Sequence, residues 1–128
     1  MRAVRWAKYH LGHLRRWREA VEAVARAVRD LGIEAELYVI GGAAESRLTI
    51  LSDVDVLLCL GEELKGEDAW ILRRKVLGLA MDKYGLPVDY PIELHIRDKK
   101  ACGEILRRGK AVKVDVSAKE GRIAEATP

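Results

Sequence analysis

Two apolar spacings alternate along this chain, and together they predict its elements. Over residues 2–31, Val21, Val24, Ala25, Val28 and Leu31 recur at helical intervals in a stretch rich in Ala, Arg, Glu and Leu. Gly32 follows as the stop, and Gly12 is a candidate break inside it. Residues 36–40 then read as a strand running into Gly41-Gly42, with a short helical segment over 43–48. Residues 54–60 are apolar almost throughout, which predicts a strand covered on both faces. A loop over 61–66 leads to a long helix over 67–84, with Trp70, Leu72, Val76, Leu77 and Ala80 as its apolar content; Gly85 and Pro87 end it. Residues 92–96 alternate as a strand, 98–108 read as a helix stopped by Gly109, and 111–116 as a fourth strand. The tail from residue 120 carries no pattern. This order predicts an α+β domain, with helices layered on a small mixed sheet.

Composition narrows the class. At 128 residues, 49% hydrophobic and 34% charged, the chain is one globular domain with enough apolar surface for a core. It contains no Asn, Gln or Phe, and loss of the heat-labile amides in favour of Lys, Arg and Glu is a thermophile trend. No apolar run approaches the ~20 residues of a membrane span, and no signal-peptide pattern opens the chain, so a cytoplasmic protein is expected. Cys59 and Cys102 are accordingly expected to be reduced thiols.

Net charge is only +3, yet Arg2, Arg5, Lys8, Arg15, Arg16 and Arg18 all precede the first acid, Glu19. Trp6, His10, His13 and Trp17 form a stripe at helical spacing in that segment. The stripe reads either as packing on the helix's own core or on a second copy, or as a surface for a partner or RNA. Lys99, Lys100, Arg107, Arg108 and Lys110 read as a solvated face.

The chemistry concentrates in Gly41-Gly42, ten further residues, and Asp53-Val54-Asp55. A strand ending in Gly-Gly exposes backbone N–H groups that a polyphosphate can approach closely. Asp53 and Asp55, two apart, point to one face of their strand. Two carboxylates that close repel unless a cation sits between them, and magnesium fits by binding carboxylates while leaving places for water and phosphate. Glu93 supplies a third acid. In residues 92–96, Ile92, Leu94 and Ile96 share one face and Glu93 and His95 the other. Asp89 is the alternative third acid. For His95 the plainer reading is a hydrogen-bonded strand histidine, with contact to metal or nucleotide as the alternative.

The run Gly41-Gly42-x10-Asp53-x-Asp55, followed by Glu93 on a later strand, resembles the DNA polymerase beta-type nucleotidyltransferase superfamily. Ser52 before Asp53 brings it nearest to the minimal nucleotidyltransferases. A phosphatase of the haloacid dehalogenase type would want Thr where Leu57 stands, and a toprim domain would want its Glu on an earlier strand. The resemblance covers residues 35–97. It implies a catalytic core over residues 19–116, with a basic helical extension over 1–18 and a loose tail over 117–128. It implies transfer of a nucleoside monophosphate from an NTP, ATP above all, to an acceptor hydroxyl with release of pyrophosphate. Two Mg2+ ions, or Mn2+, would be held by Asp53, Asp55 and Glu93. Gly41, Gly42, Ser52 and Arg47 would face the phosphates. Glu45 and Ser46 stand where many minimal members have Arg and Gly, and Arg47 is the cation that offsets Glu45. The resemblance also implies an alternative: an antitoxin-like protein that binds a helical HEPN-type partner, or adds AMP to it. Pairing of two copies through the N-terminal helix, or RNA binding there, is a further expectation.

Overall fold

The computed structural model describes residues 5–8, 12, 16–45, 48 and 53–116. The elements run α1 (Trp17–Asp30), β1 (Ala35–Ile40), α2 (Gly41–Ala44), β2 (Val54–Leu60), α3 (Glu67–Tyr84), β3 (Ile92–Asp98), α4 (Lys99–Leu106) and β4 (Val112–Val114). Residues 5–8 and Gly12 are also helical. The tail at 117–128, and with it that part of the sequence reading, lies outside the described residues.

α1 forms because one face is apolar and small. Trp17, Ala20, Val21, Ala23, Val24, Ala25, Ala27 and Val28 are buried, and the alanines let the helix lie close to its neighbours. Its C-terminus closes as a Schellman turn: Gly32 N–H donates to Arg29 O, and Ile33 N–H donates to Val28 O. Gly32 takes φ of +67°, a conformation that favours glycine. Leu31, expected on the core face, is the cap residue and is exposed; Ile33 packs on the core instead. Trp17 likewise departs from the aromatic stripe, because it is 7% exposed and belongs to the core.

The sheet has the order β3-β2-β1-β4. β1 runs antiparallel to both β2 and β4, whereas β2 and β3 are parallel and joined by α3. Alternation along each strand sorts its side chains between two faces. Leu37 and Val39, Val54, Val56 and Leu58, Leu94 and Ile96, and Val114 join the main core with α1 and α3. Among the described residues, the opposite face is covered only in part. There Leu57, Cys59 and Cys102 form a second cluster with Tyr38, Ile40, Ile105 and Leu106, and α4 is its lid.

Two local devices fix the edges. Asp98 caps α4, its carboxylate accepting from Ala101 N–H at 2.8 Å, so β3 extends to residue 98 before the helix begins. On β3, the Arg73 side chain donates to Leu94 O and the Arg97 side chain to Ile96 O, each at 2.8 Å. β3 is an edge strand, and these guanidinium groups occupy carbonyls that a further strand would use.

The cysteines correct the sequence reading. Cys59 on β2 and Cys102 on α4 form a disulfide across 43 positions of sequence, with Cα atoms 6.0 Å apart. Both sulfurs sit in the second cluster, where strand and helix packing bring them together. Among the described residues, no helix is long and apolar enough to cross a membrane.

Candidate active site

Among the described residues, the sheet face beside α4 carries Asp55, Glu93 and His95. Asp55 is the second residue of β2 and Glu93 the second of β3, and the parallel register sets them directly opposite each other. His95, two residues on, shares their face. Its Nε2 lies 3.2 Å from Asp55 Oδ1 and 3.9 Å from Glu93 Oε2. Each of the three residues offers a donor atom, and these atoms all lie within 4.8 Å of one another. The side chains of Asp55 and His95 are about one-third and one-quarter exposed, and that of Glu93 is 60% exposed. The group is thus anchored on rigid strands yet open to solvent.

Gly41 forms one wall. The chain leaves β1 in extended conformation at Ile40 and turns at Gly41 with φ of +67°. A Cβ there would stand 3.0 Å from Asp55 Oδ2. Glycine is favoured by its backbone angle, and a Cβ would also press on the Asp55 carboxylate, which would have to give by a few tenths of an ångström. The turn starts α2 at Gly41 itself, two residues earlier than the pattern over 43–48 suggests. Gly42 follows within α2. Glu45, just past the helix, directs its carboxylate toward Gly109 in the turn between α4 and β4, where a Cβ would stand 3.7 Å from Oε1.

The remaining expected residues fall as follows. Asp53 is exposed one position ahead of β2 and lies outside the group formed by Asp55, Glu93 and His95. Asp89 is exposed in the turn before β3 and is also outside it. Arg47 and Ser52 lie outside the described residues, as do His10 and His13. His95 is a hydrogen-bonded strand histidine, the plainer of its two sequence readings, and its partner is Asp55. Its place on the face of Glu93 was legible, but its contact with Asp55 depends on the β2–β3 register.

Tyr38, farther along the same face, has its hydroxyl pushed up to about 12, first by burial and then by its hydrogen bond to Glu36. It stays protonated at neutral pH. A separate cavity of about 180 Å3 lies on the helical side, between α1 and the turn after α3, lined by Glu19, Ala23, Leu86 and Tyr90 among others. Burial and, secondarily, Glu19 raise the Tyr90 hydroxyl above its ordinary range there. Asp55, Glu93 and His95 do not line this cavity.

The chemistry of the donor set fits a divalent cation. Two carboxylates and one imidazole converge, and a six-coordinate ion bound at ~2.1 Å would set adjacent donors ~3 Å apart, close to the 3.2 Å between His95 and Asp55 and shorter than the 3.9 Å between His95 and Glu93. The exposed Glu93 side chain is free to adjust the remaining distance.

The architecture is a nucleotidyltransferase-type fold. A solved structure of a candidate nucleotidyltransferase from Sulfolobus solfataricus aligns with 91% of this chain and 93% of its own, at TM-score 0.56 and 15% identity. A second candidate nucleotidyltransferase aligns with 81% of this chain and 99% of its own, at TM-score 0.40 and 26% identity. No family model and no curated protein matches the chain.

Proposed function

We propose that the chain is a metal-dependent nucleotidyltransferase. It takes an NTP, ATP in the first instance, transfers the nucleoside monophosphate to an acceptor hydroxyl and releases pyrophosphate. The observation that carries this reading is the register pair Asp55–Glu93 with Gly41 against the Asp55 carboxylate. Acid, acid and glycine turn come from three separate elements and meet at one end of the sheet.

In this reading Asp55 and Glu93 hold the divalent ions, Mg2+ or Mn2+, and Asp53 joins them from the lip of β2. The ions would supply charge neutralisation for the developing phosphorane oxygens and would lower the pKa of the acceptor hydroxyl. Glu93, the most exposed of the three clustered side chains, faces the acceptor and is the candidate for receiving its proton. Gly41 and Gly42 let the triphosphate approach the backbone, with Ser52 and Arg47 assigned to it from the sequence pattern. Glu45, directed toward Gly109, does not need to repel the phosphates.

The test uses ATP labelled at the α- or the γ-phosphate, divalent metal and a set of acceptors: RNA, the chain itself and small helical proteins of the HEPN type. Transfer of α-label to an acceptor, with γ-label recovered in pyrophosphate, supports the reading. The acceptor that takes the label separates an RNA-directed enzyme from one that adds AMP to a protein partner. Release of γ-label as orthophosphate would make the chain an ATPase and sink the proposal.

A further inference from the structure

We infer that His95 is a direct metal ligand, and that it makes this site prefer a first-row transition ion such as Mn2+ over Mg2+. The inference rests on the reading of Asp55 and Glu93 as a metal site and adds an ion preference to it.

Three observations carry it. His95 presents Nε2, the nitrogen at the tip of the ring, to the carboxylates, at 3.2 Å from Asp55 and 3.9 Å from Glu93. It does so from the same strand as Glu93, two residues on, so its direction is fixed by the pleat rather than by a loop. The three donors come from two adjacent strands in fixed parallel register, and all their donor atoms lie within 4.8 Å of one another. Two carboxylates and one imidazole therefore converge, and all three side chains keep part of their surface exposed, where water and phosphate oxygens can complete the coordination.

The preference follows from the donors. Mg2+ is a hard ion that takes oxygen ligands and keeps its waters. An imidazole nitrogen adds little for Mg2+, but it suits first-row transition ions, whose affinities rise from Mn2+ toward Cu2+. In the metal-free chain Nε2 donates its proton to Asp55 Oδ1, which orients the ring; an ion binding there breaks this hydrogen bond and takes the tautomer with the proton on Nδ1, while Asp55 Oδ1 turns from acceptor to ligand. With oxygen donors alone, as in the Asp53, Asp55 and Glu93 set, the site would distinguish Mn2+ from Mg2+ less sharply.

The experiment measures metal binding without nucleotide or turnover. Mn2+ and Mg2+ are titrated separately, by calorimetry and by loss of the free Mn2+ resonance, into the wild-type chain and into His95→Gln, Asp55→Asn and Glu93→Gln. Pulsed EPR of the Mn2+-loaded wild type then reads nitrogen coordination without relying on any variant. The expected result is a nitrogen coupling in the wild type, together with about tenfold or greater loss of Mn2+ affinity in His95→Gln and little change for Mg2+. A Mn2+ spectrum without nitrogen coupling, or a His95→Gln variant with an unchanged ratio of Mn2+ to Mg2+ affinity, would overturn the inference. If Asp55→Asn and Glu93→Gln abolish binding in that case, the metal site itself stands and only the role of His95 fails. If neither abolishes binding, the parent reading fails with it.

Discussion

A Cβ on Gly41 would lie 3.0 Å from Oδ2 of Asp55, so the turn after β1 and the acid at the start of β2 are built against each other. The turn's φ of +67° makes the same demand on the backbone. The phosphate-facing turn and the metal-facing carboxylate in the proposed mechanism are thus one packed unit.

The first prediction follows from that contact. Gly41→Ala places a side chain in the left-handed region, at a cost of roughly 1–2 kcal/mol, and pushes on the Asp55 carboxylate. The variant should melt several degrees lower, and its divalent-ion affinity should fall by more than its stability loss explains. Calorimetric melting and metal titration on the same sample check this. A variant with wild-type metal affinity would show that the turn and the acid act separately.

Asp55→Asn should leave the metal-free fold nearly unchanged. Asn can still meet the His95 ring, and the substitution relieves repulsion with Glu93 across the register pair. Metal response is where the two proteins should differ. Ligand at a hundred times its Kd stabilises a fold by about 2.7 kcal/mol, so wild type should melt higher in metal and Asp55→Asn should not. Thermal scans with and without metal read both. A large fall in the melting temperature of the metal-free variant would instead mark Asp55 as a structural residue.

The proposed site was legible where local pattern was enough. Parity along β2 and β3 put Asp55 and Glu93 each on a polar face, and the glycine pair marked the turn beside them. What parity does not give is pairing. The contact of His95 with Asp55 needs the parallel β2–β3 register, and the disulfide needs to know which sheet face α4 covers. Trp17 shows the same limit within one helix. Its spacing fits the stripe with Trp6, His10 and His13, and it fits the core row with Val21, Val24 and Val28 equally well. The structure assigns it to the core, whereas Trp6 is 53% exposed.

The disulfide gives a third prediction. A crosslink closing a loop of this length contributes about 2–4 kcal/mol, largely by restricting the unfolded chain. Reduction should therefore lower the melting temperature by roughly 10 °C. Cys59→Ala with Cys102→Ala should reproduce that drop and abolish the response to reductant. Thiol counting under denaturing conditions provides the chemical control. Two free thiols in the untreated protein would contradict the crosslink.

A fourth prediction concerns pH. Asp30, at the end of α1, accepts hydrogen bonds from Lys83, at 2.8 Å, and from the Tyr84 hydroxyl, both near the end of α3. The Lys83 bond and then the Tyr84 bond hold the Asp30 carboxyl below its ordinary range, and the Asp30 bond leads in raising Lys83. A depressed carboxyl contributes stability above its unfolded pKa, near 3.9, and loses it as pH falls through the folded value. A raised amine contributes below its unfolded pKa, near 10.4, and loses it as pH rises through the folded value. Asp30→Asn should therefore melt below wild type across the neutral range, and the gap should close in strong acid and narrow in strong base. A gap independent of pH would show that packing, and not charge, ties these helix ends together.

Metal-dependent ATP binding tests the account most directly, because it requires no knowledge of the acceptor. ATP is titrated into the wild-type chain and into folded Asp55→Asn, each with saturating divalent ion and again with chelator. The account predicts that wild type binds ATP only with metal, and that Asp55→Asn loses the greater part of that affinity. Equal binding with chelator and with metal, or an Asp55→Asn variant that binds metal–ATP as tightly as wild type, would contradict it.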